Sequence, residues 1–557
     1  MRKIFLPVLI LSLALLAGCV APTTGGPAAV GVESQPAQPA AEQAIEPASA
    51  QPEAAAPEPA KGGRLVRAMT SEPAVIDPQG AASSGLSLVM PYLFDTLVTR
   101  DVDGSLHPLL AESWETSDDG KAITIRLKPG VTFHDGSPLT AEAVKLTFDR
   151  YLEKGIKSPI YSAVKEIGAV EVVDDLTVRF TFDQPSATFW STVTMPYAGI
   201  LSPASIAAVD ASGEGHLVGT GLFMLGEWKA GQSLTLVANP DYAWGAAFME
   251  NQGAPYLREL VFKVLPEATT QMAALEVGEV DVIFVNQPSH LEKLAANPEL
   301  RTEEMVLNSL VYLGFNSQKG PFAEPLVRQA LSHAVDKQQI VDIALGGLGQ
   351  LAYTPLPPTL LGFDPALEEY ELGYAPDKAR ELLQEAGFEA TADGWQRDGQ
   401  PLSALLLTSN RAPNEAIATL LQSQLQAIGV PVEIQQLDSK AVQEATNQGA
   451  FDLLLWRFEW NDPDGLRIFL GSDAIGSTNR TFYSNPELDA LLAQAARELD
   501  PAVRHDLYVQ AQQVILQDAP WQPLYNPVDV MAAREAVQDV KIGYMGRMLV
   551  NDAYVDQ

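Results

Sequence analysis

Cysteine is almost missing from this chain of 557 residues: Cys19 is the only one. An internal disulfide, a thiolate zinc site and a cysteine nucleophile are therefore excluded from the rest of the protein. Cations are the next shortage. Lys and Arg number 36 against 70 Asp and Glu, a formal net charge of −34, and no basic run is longer than Arg2-Lys3. Nucleic acid is held chiefly by cations that displace phosphate counterions, so this balance excludes it as a partner. The six histidines are scattered without the spacing of a metal site, and no cofactor is implied. Serine-elbow, H-E-x-x-H and phosphate-loop patterns are absent too, which leaves the competing class, a lipid-anchored extracellular hydrolase, without a recognisable nucleophile or metal. The longest leading apolar run, Ile4 to Leu16, is shorter than the roughly 20 residues a membrane crossing needs.

That run has a meaning of its own. Two cations precede it and the small residues Ala17-Gly18 follow it, the layout of an export signal. Leu16-Ala17-Gly18-Cys19 resembles the lipobox of bacterial lipoproteins. The resemblance implies a signal peptide over residues 1–19, with Cys19 as the lipidated terminus that ties the protein to a membrane. Residues 20–60 are rich in Ala, Pro, Gln and Glu and hold no aromatic residue. Such a segment offers too little apolar surface to offset its ordering entropy and reads as a disordered tether. At roughly 5–6 Å × √n, about 40 such residues span on the order of 35 Å.

The body follows from residue 61. The 46% hydrophobic content of the whole chain is ample for a core. Strands are expected over 64–69 and 122–127, a hairpin over 167–173 and 176–182, and helices over 86–98 and 141–152. Farther on, helix 377–386, strand 405–408, helix 414–428, strand 432–437, helix 440–448 and strand 452–456 alternate with short connections, which predicts a parallel α/β layer. Ligands in such sheets sit beyond the carboxyl ends of the strands. Strand 453–455 is expected to end in Trp456-Arg457-Phe458-Glu459-Trp460-Asn461-Asp462-Pro463-Asp464-Gly465, a mixture suited to a ligand with an apolar body and a charged end. The same residues also fit a plainer arrangement, with Trp456 and Phe458 in the core, Trp460 either in the core or as an aromatic wall, and the acids on a solvated turn. Strand 405–408 empties toward Arg411. If the two strands are neighbours, Arg411 and Glu459 border one crevice and would suit a zwitterion, the arginine taking a carboxylate; otherwise Arg411 is a surface cation.

Residues 111–144, AESWETSDDGKAITIRLKPGVTFHDGSPLTAEAV, closely resemble the signature of the family 5 extracellular solute-binding proteins. Gly219-Thr-Gly-Leu-Phe223, Asn239-Pro-Asp-Tyr242, Gly314-Phe-Asn-Ser317 and Val327–Lys337 resemble it as well. The resemblance implies an α/β fold of the two-lobed periplasmic-binding-protein type, class II-like, with a small extra domain inserted in the first lobe. Carried over by segment, lobe one is 61–107, 220–308 and 523–557, the inserted domain is 108–219, and lobe two is 309–522. Two strands crossing between the lobes would form the hinge. It also implies a monomeric receptor, not an enzyme, that captures an oligopeptide or dipeptide and hands it to an ABC permease with its ATPase subunits. An oligosaccharide or a metal complex is the alternative cargo. In peptide-binding members an aspartate at the position of Glu459 clamps the ligand's ammonium; glutamate here is one methylene longer. Arg411 resembles a carboxylate-binding arginine, and Ser84 and Gly85 fall where backbone pairs with an extended ligand. Arg457, Asn461 and Asp462 complete the expected ligand-binding set with Trp456 and Trp460.

Overall fold

The computed structural model describes residues 63–80, 83–154, 160–212, 215–285 and 287–556. The export signal, Cys19 and the tether lie outside the described residues. Strand Arg64–Met69 forms where expected and pairs in parallel with Glu259–Val264 and Val282–Val285. Helix Ser84–Leu93 ends five residues short of the expected 98. Phe94 turns extended while its N–H bonds back to Met90, and Val98–Arg100 becomes a strand. Residues 111–182 contribute a separate four-stranded antiparallel sheet that includes the expected hairpin, Ile167–Asp174 with Thr177–Phe182. Helix Ala141–Lys154 follows the same sheet in contact and covers it.

The alternation read in the C-terminal half is present. Ala404–Ser409 pairs in parallel with both Val432–Leu437 and Leu453–Glu459, and helices Asn414–Ala427 and Ser439–Asn447 make the crossovers. Leu453, Leu454 and Leu455 are fully buried, as strands covered on both faces require.

One strand joins everything. The large sheet runs, in spatial order, through Val432–Leu437, Ala404–Ser409, Leu453–Glu459, Ser309–Phe315, Trp521–Arg534, Val282–Val285 and Arg64–Met69, then onward through 259–264 to 223–229. The 14-residue strand Trp521–Arg534 pairs through residues 521–525 with Ser309–Phe315 and through 528–534 with Leu300–Val306 and Val282–Val285. It therefore belongs to both halves of the two-lobed fold. Leu300–Val306, which pairs with the second part of Trp521–Arg534, runs directly into Ser309–Phe315, which pairs with the first. Separate apolar cores stand on the two sides, one built on Leu65, Phe94 and Phe262, the other on Phe315, Leu406 and Leu425.

Candidate functional site

The strand expected to stop at Trp456 continues to Glu459, because its sequence keeps a period of two. Trp456 and Phe458 face one side, Arg457 and Glu459 the other. All four pair with the antiparallel neighbour, Tyr312 opposite Trp456 through Ser309 opposite Glu459. On the other edge the ladder with Ala404–Ser409 covers only Leu453 and Leu454. The segment 456–459 thus overhangs with one strand partner, and alternate residues turn N–H and C=O groups toward the unpaired side.

Phe458 is core, 1% exposed, edge-on to Phe469 at 5.1 Å and against Trp521 at 5.8 Å. Trp456 is half-buried under the Arg480 guanidinium, 5.2 Å from its ring. On the opposite face Arg457 donates through Nε to Ser309 Oγ at 2.5 Å and pairs with Glu459 at 2.8 Å. This pair is half exposed, 44% and 58%, so it contributes no more than about 1 kcal/mol to folding and leaves Glu459 within reach of a ligand. Asp529 of the crossing strand shares its field. Burial raises the Asp529 carboxyl above its usual range, Arg457 and Arg67 oppose that, and Glu459 adds to it.

The turn after the strand is docked rather than solvated. Asp462 Oδ1 accepts from Arg504 at 2.7 Å and from the Asp464 N–H at 2.8 Å, and its Oδ2 accepts from Ser191 Oγ at 2.5 Å. Burial works against its ionisation, but the Arg504 charge and these bonds overcome it and hold the carboxyl below the usual range. Both oxygens are engaged internally, so Asp462, expected among the ligand-binding residues, serves here to fasten the turn. Asn461 donates to the Ser191 carbonyl at 2.7 Å, and Tyr544 donates to the Asn461 carbonyl at 3.3 Å. Gly465 closes the turn; a Cβ there would stand 2.7 Å from the Phe458 ring.

Between this turn and helix Phe189–Val193 lies a cavity of about 490 Å³, within the range of small-molecule sites. Trp460, Phe469 and Met195 give it apolar walls, and Asp464, Arg467 and Glu166 its charges. Asp464 binds Arg467 through both oxygens, at 2.9 and 2.7 Å, and Arg467 reaches Glu166 at 3.6 Å. Trp460 stands edge-on to Phe469 at 6.2 Å.

The remaining expected residues fall elsewhere. Arg411 is exposed on the loop after its strand. Its strand does neighbour that of Glu459, but Arg411 forms no ion pair among the described residues and lines neither cavity found there. Ser84 and Gly85 are not extended backbone but the first turn of a helix capped by Ser83, whose side chain accepts from the Leu86 N–H. Gly85 is needed for packing, since a Cβ would lie 2.4 Å from the Ser71 carbonyl. Ser191, Arg467, Arg504 and Asp529 went unread. Arg67 and Asp529 carried a usable signal, a charge inside an apolar strand, whereas Ser191 carried none.

Two buried carboxyls make stability pH-dependent. Burial pushes Asp464 and Asp95 from 3.8 up to about 6. A raised carboxyl binds more protons folded than unfolded between those values, so its ionisation weakens the fold as pH rises from 3.8 to 6. Each group regains roughly 1 kcal/mol between pH 7 and pH 5. The melting temperature is expected to be higher at pH 5 than at pH 7, with a smaller rise in Asp95→Asn; a steady fall over that interval would contradict the assignment. Asp462 acts oppositely, its contribution being lost only as pH falls below the usual carboxylate range.

Comparison with known proteins places this geometry. The pattern of the bacterial extracellular solute-binding proteins, family 5 Middle, matches residues 105–476. Heme-binding protein A of Haemophilus influenzae is 33% identical over 452 residues, 76% of this chain and 79% of that protein. The oligopeptide-binding protein AppA of Bacillus subtilis is 31% identical over 497 residues, 87% of this chain and 90% of AppA. The structure of AppA in complex with a nonapeptide superposes with a TM-score of 0.73 at 28% identity, covering 90% of this chain and all of that one.

Proposed function

Since this chain belongs to the bacterial extracellular solute-binding proteins of family 5, receptors of ABC importers and not enzymes, we propose that its cargo is a peptide held along Trp456–Glu459. The observation that carries this reading is the overhanging strand. It offers unpaired backbone groups to an extended chain, with the half-exposed Glu459 carboxylate on one face and the Trp460-walled cavity at its end. Similarity to oligopeptide-binding AppA supports it. Glu459 takes the ligand's ammonium in place of Arg457, and the cavity takes a side chain or the continuing ligand.

The delivery scheme is part of the proposal. Cys19 carries the lipid, residues 20–60 are the leash, and the body, a monomer, presents its cargo to a membrane permease with ATPase subunits. The 108–219 segment is read as a domain inserted in lobe one (61–107, 220–308 and 523–557), facing lobe two over 309–522.

Purified protein titrated calorimetrically with short free-amino peptides tests this. Glu459→Gln is expected to weaken binding by about 2 kcal/mol, roughly thirtyfold, while N-acetylated peptides bind wild type and variant alike. Unchanged affinity removes Glu459 from the site. An oligosaccharide or a metal complex released on denaturation, instead of peptides, would keep the receptor and replace the cargo.

A further inference from the structure

A second and smaller cavity, about 80 Å³, meets the first at Asn461, which lines both. Its polar wall comes from Tyr92, Asp95, Arg100, Tyr242, Tyr544 and Arg547. Two guanidiniums thus face one carboxylate in a chain where acids outnumber bases 70 to 36. The Arg547 side chain has no hydrogen bond or ion pair among the described residues, and its Nε is buried without a partner. Arg100 donates to the Gly104 carbonyl at 2.6 Å and to Ser191 Oγ at 3.1 Å, while its Nε is also buried and unpartnered. Asp95 attracts Arg547 through space but does not bond it. Its Oδ2 accepts from Thr220 at 3.0 Å and Trp244 at 2.9 Å, and no ion pair joins it to Arg547. Both arginines are partly buried; a guanidinium nitrogen buried without a partner is costly, and the guanidinium fork matches an oxyanion.

We propose that this cavity is an oxyanion site in which Arg547, with Arg100 beside it, holds a carboxylate or phosphate group. The volume admits a group of a few heavy atoms and no more. The anion is either free in solution or the terminal carboxylate of the cargo, reaching past Asn461 from the larger cavity. Only the second source rests on the peptide reading above.

The test is a melting-temperature titration of the purified protein with sodium acetate and with inorganic phosphate, against chloride at equal ionic strength. A saturable rise is expected with at least one oxyanion, weakened tenfold or more in Arg547→Met and retained in Glu459→Gln. In chloride alone Arg547→Met is expected to melt at or above the wild type, because it removes a guanidinium nitrogen buried without a hydrogen-bond partner. A merely structural arginine would lower it. The source is separated by comparing trialanine with its C-terminal amide: if the cargo supplies the anion, the acid binds at least tenfold more tightly than the amide in wild type and equally in Arg547→Met. Absence of a response to acetate and phosphate, together with no acid–amide difference or no binding of either peptide, overturns the site. So does an Arg547→Met protein that responds as the wild type does. Failure of trialanine alone, with an intact acetate or phosphate response, counts against the peptide cargo and not against the anion site.

Discussion

Arg504→Ala is expected to cost about 3–5 kcal/mol of folding stability, read as a lowered midpoint of guanidinium unfolding at neutral pH. Both members of the Asp462–Arg504 pair are nearly inaccessible, at 3% and 7% exposure, and the bond between them is 2.7 Å. Removing the cation leaves a carboxylate that water cannot reach. The residual donors, Ser191 Oγ and the Asp464 N–H, hold it in place but bring no full charge. The surface pair Lys440–Glu444, 3.9 Å apart and 85% and 65% exposed, supplies the contrast: Lys440→Ala should stay within about 0.5 kcal/mol of wild type. A loss below about 1 kcal/mol for Arg504→Ala would mean that Asp462 is protonated or hydrated in the fold, contrary to the geometry. Arg504 should also affect binding indirectly, because the fastened turn fixes the direction in which Trp460 and Asn461 leave the strand.

Phe458→Ala is expected to cost a similar 3–5 kcal/mol, as large-to-small changes in filled cores do. The ring is enclosed by Phe469, Trp521 and the Gly465 backbone, none of which can collapse into the space without moving the turn. Trp456, two residues earlier on the same face but half-buried, should tolerate alanine far better, losing on the order of 1 kcal/mol. The same unfolding curves that measure Arg504→Ala measure both. Equal losses at 456 and 458 would show that the aromatic run is one continuous core, and would leave no free aromatic on that face of the overhanging strand.

These two residues also show what sequence could and could not disclose. The crowding of aromatics, charges and turn residues after Leu455 argues for an early end to the strand, at Trp456. The alternation of Trp456 and Phe458 with Arg457 and Glu459 is the stronger cue, and the strand runs three residues further, to Glu459. The parallel layer was legible for the same reason: strands 404–409, 432–437 and 453–459 and the helices between them each repeat with their own period. The first helix is expected to run to 98 because apolar residues continue through Phe94, Leu97 and Val98. Tertiary contacts, Thr220 and Trp244 donating to Asp95, hold the extended chain that follows Leu93. Ser191 and Asp462 lie 271 residues apart, and no local pattern announces a hydroxyl that will meet a carboxylate across that distance. Ser84 rests on likeness of position alone, and the fold gives it a capped helix turn that likeness did not contain, while Arg411 falls on an exposed loop, as the surface-cation alternative expects.

The crossing strand Trp521–Arg534 has a mechanical consequence. Two bodies joined by a loose linker can swing freely, but two bodies sharing one pleated ribbon can turn only by twisting it. Most of that ribbon is clamped by neighbours on both edges. At its middle stands Pro527, which cannot donate to the ladder; its carbonyl accepts the Leu307 N–H, and its residue partner is Gly349. The ribbon is thus a torsion bar. Pro523, opposite Tyr312 on it, cannot donate either, but Pro527 alone stands where the pairing changes hands, between Tyr525, the last partner on one side, and Val528, the first on the other. Opening and shutting of the receptor, on this account, is a change of pitch over about four residues, and the amides flanking Pro527 are where it would register as a change in exchange rate.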